Sequence, residues 1–95
     1  MKLTISPLAE IDLEEVWLYT LENWGDAQAD AYLDQLHGML RRLAETPGMG
    51  RSCDELRSGY RRHWHDHYVI FYRSTASDVE IVRVLHEKMD FEEHL

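Results

Sequence analysis

The spacing of hydrophobic and polar positions changes near residue 47. Between residues 7 and 46, apolar side chains recur every three to four positions, which is typical of amphipathic helices that pack on a core. The first stripe comprises Ala9, Leu13, Val16, Trp17, Thr20 and Trp24, and the second Ala29, Tyr32, Leu33, Leu36, Met39, Leu40, Leu43 and Ala44. Ser6-Pro7 indicates a helix start, Gly25 a helix stop, and Asp26 can cap the next helix. Because the connection is so short, residues 7–46 are predicted to form an antiparallel helical hairpin.

Strand patterns occupy the start of the chain and its C-terminal half. Residues 2–5 alternate polar with apolar, and three later stretches are rich in β-branched and aromatic residues: Tyr60 to Trp64, His67 to Arg73 and Asp78 to His86. Residues 47–59 predict an ordered loop, and residues 86–95 a short helix or tail. We expect one α+β domain over residues 1–95: an N-terminal strand, then a two-helix hairpin packed on one face of a mostly antiparallel four-stranded sheet.

Some apolar residues lie outside the faces that a hairpin on one side of a sheet can bury. Simple alternation directs Val79, Ile81 and Leu85 to one face of the last strand, and Val82 and Val84 to the other. The first helix leaves Ile11, Leu18 and Leu21 among acidic residues, outside its stripe. Apolar surface of this kind often marks a partner site. Alternatively, the C-terminal tail folds back over the strand and the helix residues are merely scattered.

Composition places the chain among soluble globular domains, with 44% hydrophobic and 29% charged residues. The single cysteine, Cys53, excludes an internal disulfide and is typical of a reducing compartment. The sequence has neither a signal-peptide pattern nor an apolar run long enough to span a bilayer. We therefore expect a cytoplasmic protein that has no membrane partner.

The charge is −8 and is unevenly distributed. Residues 1–50 carry nine acids and three bases, whereas residues 51–95 carry nine acids and seven bases. Nucleic acids are bound through Lys and Arg, so the first half opposes such binding and no strong direct contact with nucleic acid is expected. The acids otherwise form a solubilising face.

Two groups of residues are candidates for chemistry. His63, His65 and His67 alternate and could hold a metal on one straight strand, but the turn predicted at His65-Asp66 separates them, so neither a metal nor a cofactor is expected. The second group comprises Arg61, Arg62, Arg83 and His86. Its arginines could hold a scissile phosphate while the histidine acts as a general acid, as in a metal-free ribonuclease. Alternatively, the arginines form surface ion pairs and the histidine packs at a strand end.

Six groups of residues, in order along the chain, carry a family resemblance. They are Ala9 with Asp12-Leu13 and Tyr19-Thr20; Trp24-Gly25, Gln28-Ala29 and Tyr32; Leu43-Ala44, Pro47 and Gly50-Arg51; Asp54-Glu55-Leu56 with Gly59-Tyr60-Arg61; His67 with Ile70-Phe71-Tyr72; and Arg83-Val84-Leu85-His86 with Met89-Asp90. In these residues the chain resembles the ParE toxins of the RelE/ParE toxin–antitoxin superfamily.

The resemblance implies a toxin that is neutralised by a ParD-type antitoxin, whose C-terminal segment wraps the toxin in a hetero-oligomer. It also implies DNA gyrase as the target, inhibited by binding and not by hydrolysis. RelE-type relatives instead cleave messenger RNA on the ribosome and have a Lys/Arg-rich site, which this acidic chain lacks. Two alternatives therefore stay open: a ribosome-dependent endoribonuclease that uses Arg61, Arg62, Arg83 and His86, and a non-toxic interaction module of the same fold.

The unburied apolar residues and the charge layout together predict two contact sets. The antitoxin is expected at Ile11, Leu18, Leu21, Ile81, Arg83 and Leu85. The target is expected at the C-terminal segment, through His86, Met89 and Asp90, because the acid-rich helices should face away from DNA.

Overall fold

The computed structural model describes all 95 residues, Met1–Leu95. The elements follow in the order β1 (Lys2–Ile5), α1 (Pro7–Trp24), α2 (Asp26–Glu45), a 3-10 turn (Pro47–Met49), β2 (Arg51–Ser52), β3 (Tyr60–His65), β4 (Tyr68–Ser74), β5 (Asp78–His86) and α3 (Phe91–His94). The predicted α+β class, the helical hairpin and the strand bounds are confirmed to within a residue or two.

The sheet has five strands in the order β1-β5-β4-β3-β2. β1 lies parallel to β5, and every other neighbouring pair is antiparallel. The prediction of four strands is wrong by one, because β2 arises inside the predicted loop. Its two residues pair with Arg61 and Arg62, and a two-residue strand is too short to show alternation in the sequence.

The ends of the helical hairpin are set by local chemistry. The Ser6 hydroxyl accepts a hydrogen bond from the Ala9 N–H at 3.0 Å, and Pro7 occupies the first helical turn. Gly25 ends α1 with a φ of 88°, a conformation that glycine adopts without strain. The prediction that Asp26 caps α2 is wrong: Gly25 occupies the N-cap position and Asp26 is already helical. Since one residue joins the helices, they pack side by side.

The core lies on both faces of the sheet. The hairpin covers one face, where Leu13, Leu36, Ile70 and Tyr72 belong to a cluster of 12 buried residues. On the other face Cys53, Val69, Phe71 and Leu85 form a second buried cluster, against which Leu56, Tyr60, Phe91 and Leu95 pack. Of the two alternatives for the last strand, the structure therefore confirms the second: the C-terminal tail folds back and covers this face.

A β-bulge at Val82 overturns the predicted facing of β5. Phe71 pairs with Arg83 and Tyr72 with Ile81, so Val82 has no partner on β4. The extra residue reverses the alternation beyond it. Val84 consequently joins Ile81 on the hairpin side, whereas Leu85 belongs to the tail side. Ile81 and Leu85 are both 0% exposed, so neither lies on the surface.

None of the helices is long and apolar enough to cross a membrane.

Candidate interaction surface

Helix α1 has apolar residues on its exposed side as well as on its buried side. Its buried side is formed by Ala9, Asp12, Leu13, Val16 and Thr20. Its outer positions include Leu8, Ile11, Leu18, Tyr19 and Trp24, which are between 42% and 63% exposed. Trp24 was predicted in the buried stripe, and this is wrong: as the last residue of α1 it extends beyond the packed part of the helix. Its ring meets Tyr19 edge-on at 6.1 Å.

A groove of about 490 Å³ runs between α1, the end of β5 and the C-terminal tail. We call it the α1 groove; its lining residues are Leu8, Ile11, Asp12, Glu15, Val16, Tyr19, Tyr68, Arg83, Val84, His86, Met89 and His94. Ile11 and Arg83 of the predicted antitoxin contacts therefore meet His86 and Met89 of the predicted target contacts. Leu18 and Leu21 lie elsewhere on α1. The Asp90 carboxylate caps α3 by accepting the Glu92 N–H at 3.1 Å.

A second hollow, of about 620 Å³, continues the α1 groove toward the helical turn. We call it the aromatic cleft; its lining residues are Tyr19, Thr20, Trp24, Gln28, Tyr32, Asp66, His67, Tyr68 and His86. Tyr19, Tyr68 and His86 line both hollows, so the surface is continuous. Apart from His86, sequence reasoning assigned none of these residues to a binding surface. The one available signal was Tyr19, a large aromatic residue outside the buried stripe of α1.

Rings that contact one another form the floor of the cleft. Tyr68 meets His86 edge-on at 5.5 Å, and His86 stacks on His67 at 6.3 Å. The Nδ1 of His67 lies 2.5 Å from Glu87 Oε2. Tyr32 lies 5.7 Å from His65 and 6.3 Å from Tyr68, measured between ring centroids. Successive ring contacts thus hold these side chains in place.

Both floor tyrosines stay protonated. Burial raises the pKa of Tyr68. Burial, and then the neighbouring carboxylate of Asp66, raise the pKa of Tyr32. Asp66 itself lies in the turn between β3 and β4 with a φ of 53°, and its Oδ2 is 3.8 Å from Nε2 of His65. The cleft therefore offers neutral hydroxyls and one carboxylate.

A nearly buried ion pair forms the wall between the groove and the core. Arg83 Nε and Nη2 donate to Asp12 Oδ2 and Oδ1 at 2.8 and 2.9 Å. Asp12 Oδ2 also accepts the Val84 N–H at 2.9 Å, and Arg83 Nη1 donates to the His94 carbonyl at 2.8 Å. Hydrogen bonding to Asp12 raises the pKa of Arg83. The guanidinium is therefore engaged within the chain, where it ties α1, β5 and the tail together.

The other residues of the ribonuclease alternative are separated from His86. Arg61 Nη1 donates to the Gly50 carbonyl at 2.8 Å, and Arg62 lies 3.6 Å from Glu55. His86 on β5 is paired with Tyr68 on β4, which is paired in turn with His65 on β3. His65 lies three residues along β3 from Arg62 and four from Arg61. At about 3.3 Å per residue the offset along the strand direction is roughly 10–13 Å, and His86 also lies two strands away from β3. The structure brings Arg83 and His86 to one groove but leaves Arg61 and Arg62 outside it.

The three alternating histidines do not form a cluster. His63 and His65 belong to β3, whereas His67 follows the turn. Nowhere do three His, Cys, Asp or Glu side chains lie close enough together to hold a metal ion. Cys53 is buried beneath the tail, and burial raises the pKa of its thiol. The thiol is therefore not exposed as a nucleophile.

Comparison with known proteins identifies similar chains along almost the whole length. The model for the ParE toxin of the type II toxin–antitoxin system parDE matches residues 3–91. Toxin ParE1 of Mycobacterium tuberculosis is 42% identical over 92 residues, which cover 96% of this chain and 94% of that protein. Toxin ParE1 of Caulobacter vibrioides is 42% identical over 91 residues, with the same two coverages of 96% and 94%.

Among solved structures, one chain of the chromosomal ParDE system of P. aeruginosa superposes with a TM-score of 0.80. The match covers 90% of this chain and 95% of that chain at 16% sequence identity. At that identity the likeness is evidence for the fold alone.

Proposed function

Since the chain belongs to the ParE toxin family of type II toxin–antitoxin systems, we propose that it acts by binding DNA gyrase and is neutralised by a ParD-type antitoxin. The observation that carries the proposal is the α1 groove. It is an exposed, largely apolar hollow on a toxin whose candidate catalytic residues do not converge. Such a surface is suited to recognising another protein.

The proposed antitoxin contact follows the outer side of α1. Ile11 and Leu18 are 51% and 42% exposed, and Leu21 is partly buried beyond them. An extended or helical segment lying there would also enter the α1 groove. Ile81 and Leu85 are buried, Ile81 on the hairpin side of the sheet and Leu85 on the tail side, so neither would contact the antitoxin directly. Because the groove walls are tied by the ion pair of Asp12 and Arg83, only the antitoxin segment has to become ordered on binding.

The proposed target contact lies in the same hollow. His86 and Met89 line it opposite Ile11, so a segment seated on α1 would cover them. Antitoxin and gyrase would then compete for one surface, and neutralisation would be steric. Asp90 acts on this surface indirectly by capping α3.

The antitoxin contact is tested by adding charge to the groove. Ile11→Asp should weaken binding of the cognate antitoxin about tenfold or more, because a carboxylate would be buried against apolar groups. Ala31→Asp is the matched control, since Ala31 is an exposed helical residue that lines no hollow. Binding is measured by calorimetry on variants with unchanged thermal unfolding. Equal affinity of a folded Ile11→Asp variant and the control would remove α1 from the interface.

The target is tested by inducing the chain without an antitoxin. Filamentation with a DNA-damage response, and inhibition of purified gyrase by the purified chain, would support the proposal. A rapid stop of translation would favour message cleavage, and normal growth the non-toxic module. Met89→Asp should abolish gyrase inhibition if the groove is the contact, whereas Ala31→Asp should retain it.

A further inference from the structure

We propose that the aromatic cleft holds an arginine side chain of a protein partner, with Asp66 as its counter-ion. This deepens the proposed function, because it states the chemistry of one partner residue at the same surface. Its test nevertheless requires neither antitoxin nor gyrase. If no arginine binding is found, the proposed role of the α1 groove still stands. If gyrase is not inhibited, the proposed arginine site still stands.

The walls of the cleft have the composition that binds a planar cation. Tyr19, Trp24, Tyr32 and Tyr68 line it, and the residues Trp24 and Tyr19 are 63% and 54% exposed. Aromatic faces carry partial negative charge and attract a guanidinium or ammonium placed over them. Guanidinium is favoured over ammonium because it is planar, stacks on rings and is more weakly hydrated.

The charge of the cleft is also that of a cation site. Asp66 is its only Asp, Glu, Lys or Arg, and no Lys or Arg of the chain pairs with its carboxylate. The basic side chains that line the cleft are two histidines, of which His67 is paired with Glu87, and the whole chain carries −8. A carboxylate beside stacked rings is complementary to arginine in both charge and shape.

The backbone of Asp66 is held in a tight turn, and its side chain is 60% exposed. With a φ of 53°, it lies in the left-handed region within the tight β3–β4 turn, and β3 and β4 pair in register up to that turn. Among residues with side chains, Asp and Asn adopt this conformation most readily. Asp66→Asn therefore removes the charge while keeping the turn, which makes it a matched test. A nucleotide is the competing ligand for stacked rings, but its phosphate would be repelled by Asp66 and by the acidic chain.

The experiment titrates the full chain with N-acetyl-arginine amide and follows the indole N–H signals by NMR. Saturable shifts of the Trp24 signal are expected, with a dissociation constant of about a millimolar for so small a ligand. The N-acetyl-citrulline amide, which has the same shape without the charge, should give no saturable shift. Asp66→Asn should weaken binding about fivefold, and added salt should weaken it further.

Two tryptophan variants provide the control. Trp24→Ala removes the reporting indole, so binding to this variant is followed through the backbone N–H signals of Tyr19 and Asp66, whose saturable shifts should disappear. Trp64→Ala should leave binding unchanged, because Trp64 is 48% exposed but lines no hollow. Each variant is checked for a dispersed, native-like spectrum. Equal binding of the citrulline compound, unchanged binding by Asp66→Asn, or tighter binding of adenosine monophosphate than of the arginine compound would overturn the proposal.

Discussion

Asp12 differs from every other acid of α1 in being buried. Its carboxylate accepts two hydrogen bonds from Arg83 and one from the backbone of Val84. In the sequence it stands within a run of acids that resembles a solvated face. Its spacing from Ala9 and Val16 nevertheless places it on the buried side of the helix. An acid at a core position requires a buried partner, and the partner lies 71 residues away.

Removing this carboxylate should be costly. Asp12→Ala leaves Arg83 charged and nearly buried without a counter-ion, and leaves the Val84 N–H without an acceptor. We expect the free energy of unfolding to fall by about 3–5 kcal/mol, measured by urea denaturation. Glu14→Ala, at an exposed position two residues away, should change it by less than about 0.5 kcal/mol. Similar losses for the two variants would show that the ion pair is energetically neutral.

His63 should make stability depend on pH. Burial, and then the charge of Arg42, lower the pKa of His63 from its usual 6.5. Between the folded and the unfolded pKa, the unfolded chain binds more protons at this site, so stability should fall as pH drops below about 6.5 and level off beneath the folded pKa. His63→Gln should flatten this part of the profile, measured by denaturation from pH 8 to pH 5. The difference in free energy of unfolding between the variant and the unchanged chain at pH 8 reports packing alone. Parallel pH profiles of the two proteins would contradict the assignment to His63.

At the scale of elements, the tail is a structural part of the core. Phe91 meets Phe71 edge-on at 5.0 Å, and Leu95 packs on the same cluster. The Leu95 carbonyl accepts a hydrogen bond from Arg57, and the His94 carbonyl accepts one from Arg83. α3 is only one turn long, so these contacts and not helix propensity hold it in place.

Loosening the tail should expose Cys53. Phe91→Ala should lower the free energy of unfolding by about 2 kcal/mol, less than for a fully buried phenylalanine. It should also speed alkylation of the Cys53 thiol in the native state, because the tail covers that cluster. Glu93→Ala, exposed on the same short helix, is the control for both measurements. An unchanged alkylation rate in the destabilised variant would mean that the thiol becomes accessible by another route.

The sequence predicted the elements that repeat a local pattern and missed those that depend on distant partners. Ser6, Pro7 and Gly25 marked the ends of α1, and the long strands showed alternation. β2 was too short to do so, and the bulge at Val82 becomes visible only once β5 is paired with β4. The candidate interaction surface was predicted only in part, for the same reason. The sequence indicated Ile11, His86 and Met89, but each of them separately. That Tyr32, Asp66 and Tyr68 join them depends on how the β3–β4 turn packs against α2.

At the scale of the whole molecule, basic side chains are too few and too dispersed for a phosphate site. Arg61, Arg62 and Arg83 each contact a group of the chain itself, and only Arg83 shares a hollow with His86. With a charge of −8, the surface as a whole also opposes RNA.

The purified chain should therefore leave messenger RNA intact, with or without ribosomes, in an assay that maps cleavage positions. His86→Ala should behave like the unchanged chain. Codon-specific cuts that disappear in His86→Ala would place the protein with the ribonucleases of the superfamily and overturn the proposed target.

The parallel pairing of β1 with β5 has a consequence for how this protein is made. The first strand is made before the hairpin but has no neighbour in the sheet until residues 78–81 have also been made. Until then the helical hairpin has no β5 to pack on, and Asp12 has no Arg83. Contacts so distant in the chain form late, because the intervening loop must first be closed. The α1 groove is therefore incomplete in the nascent chain until β5 has been made, because Arg83, Val84 and His86 line it.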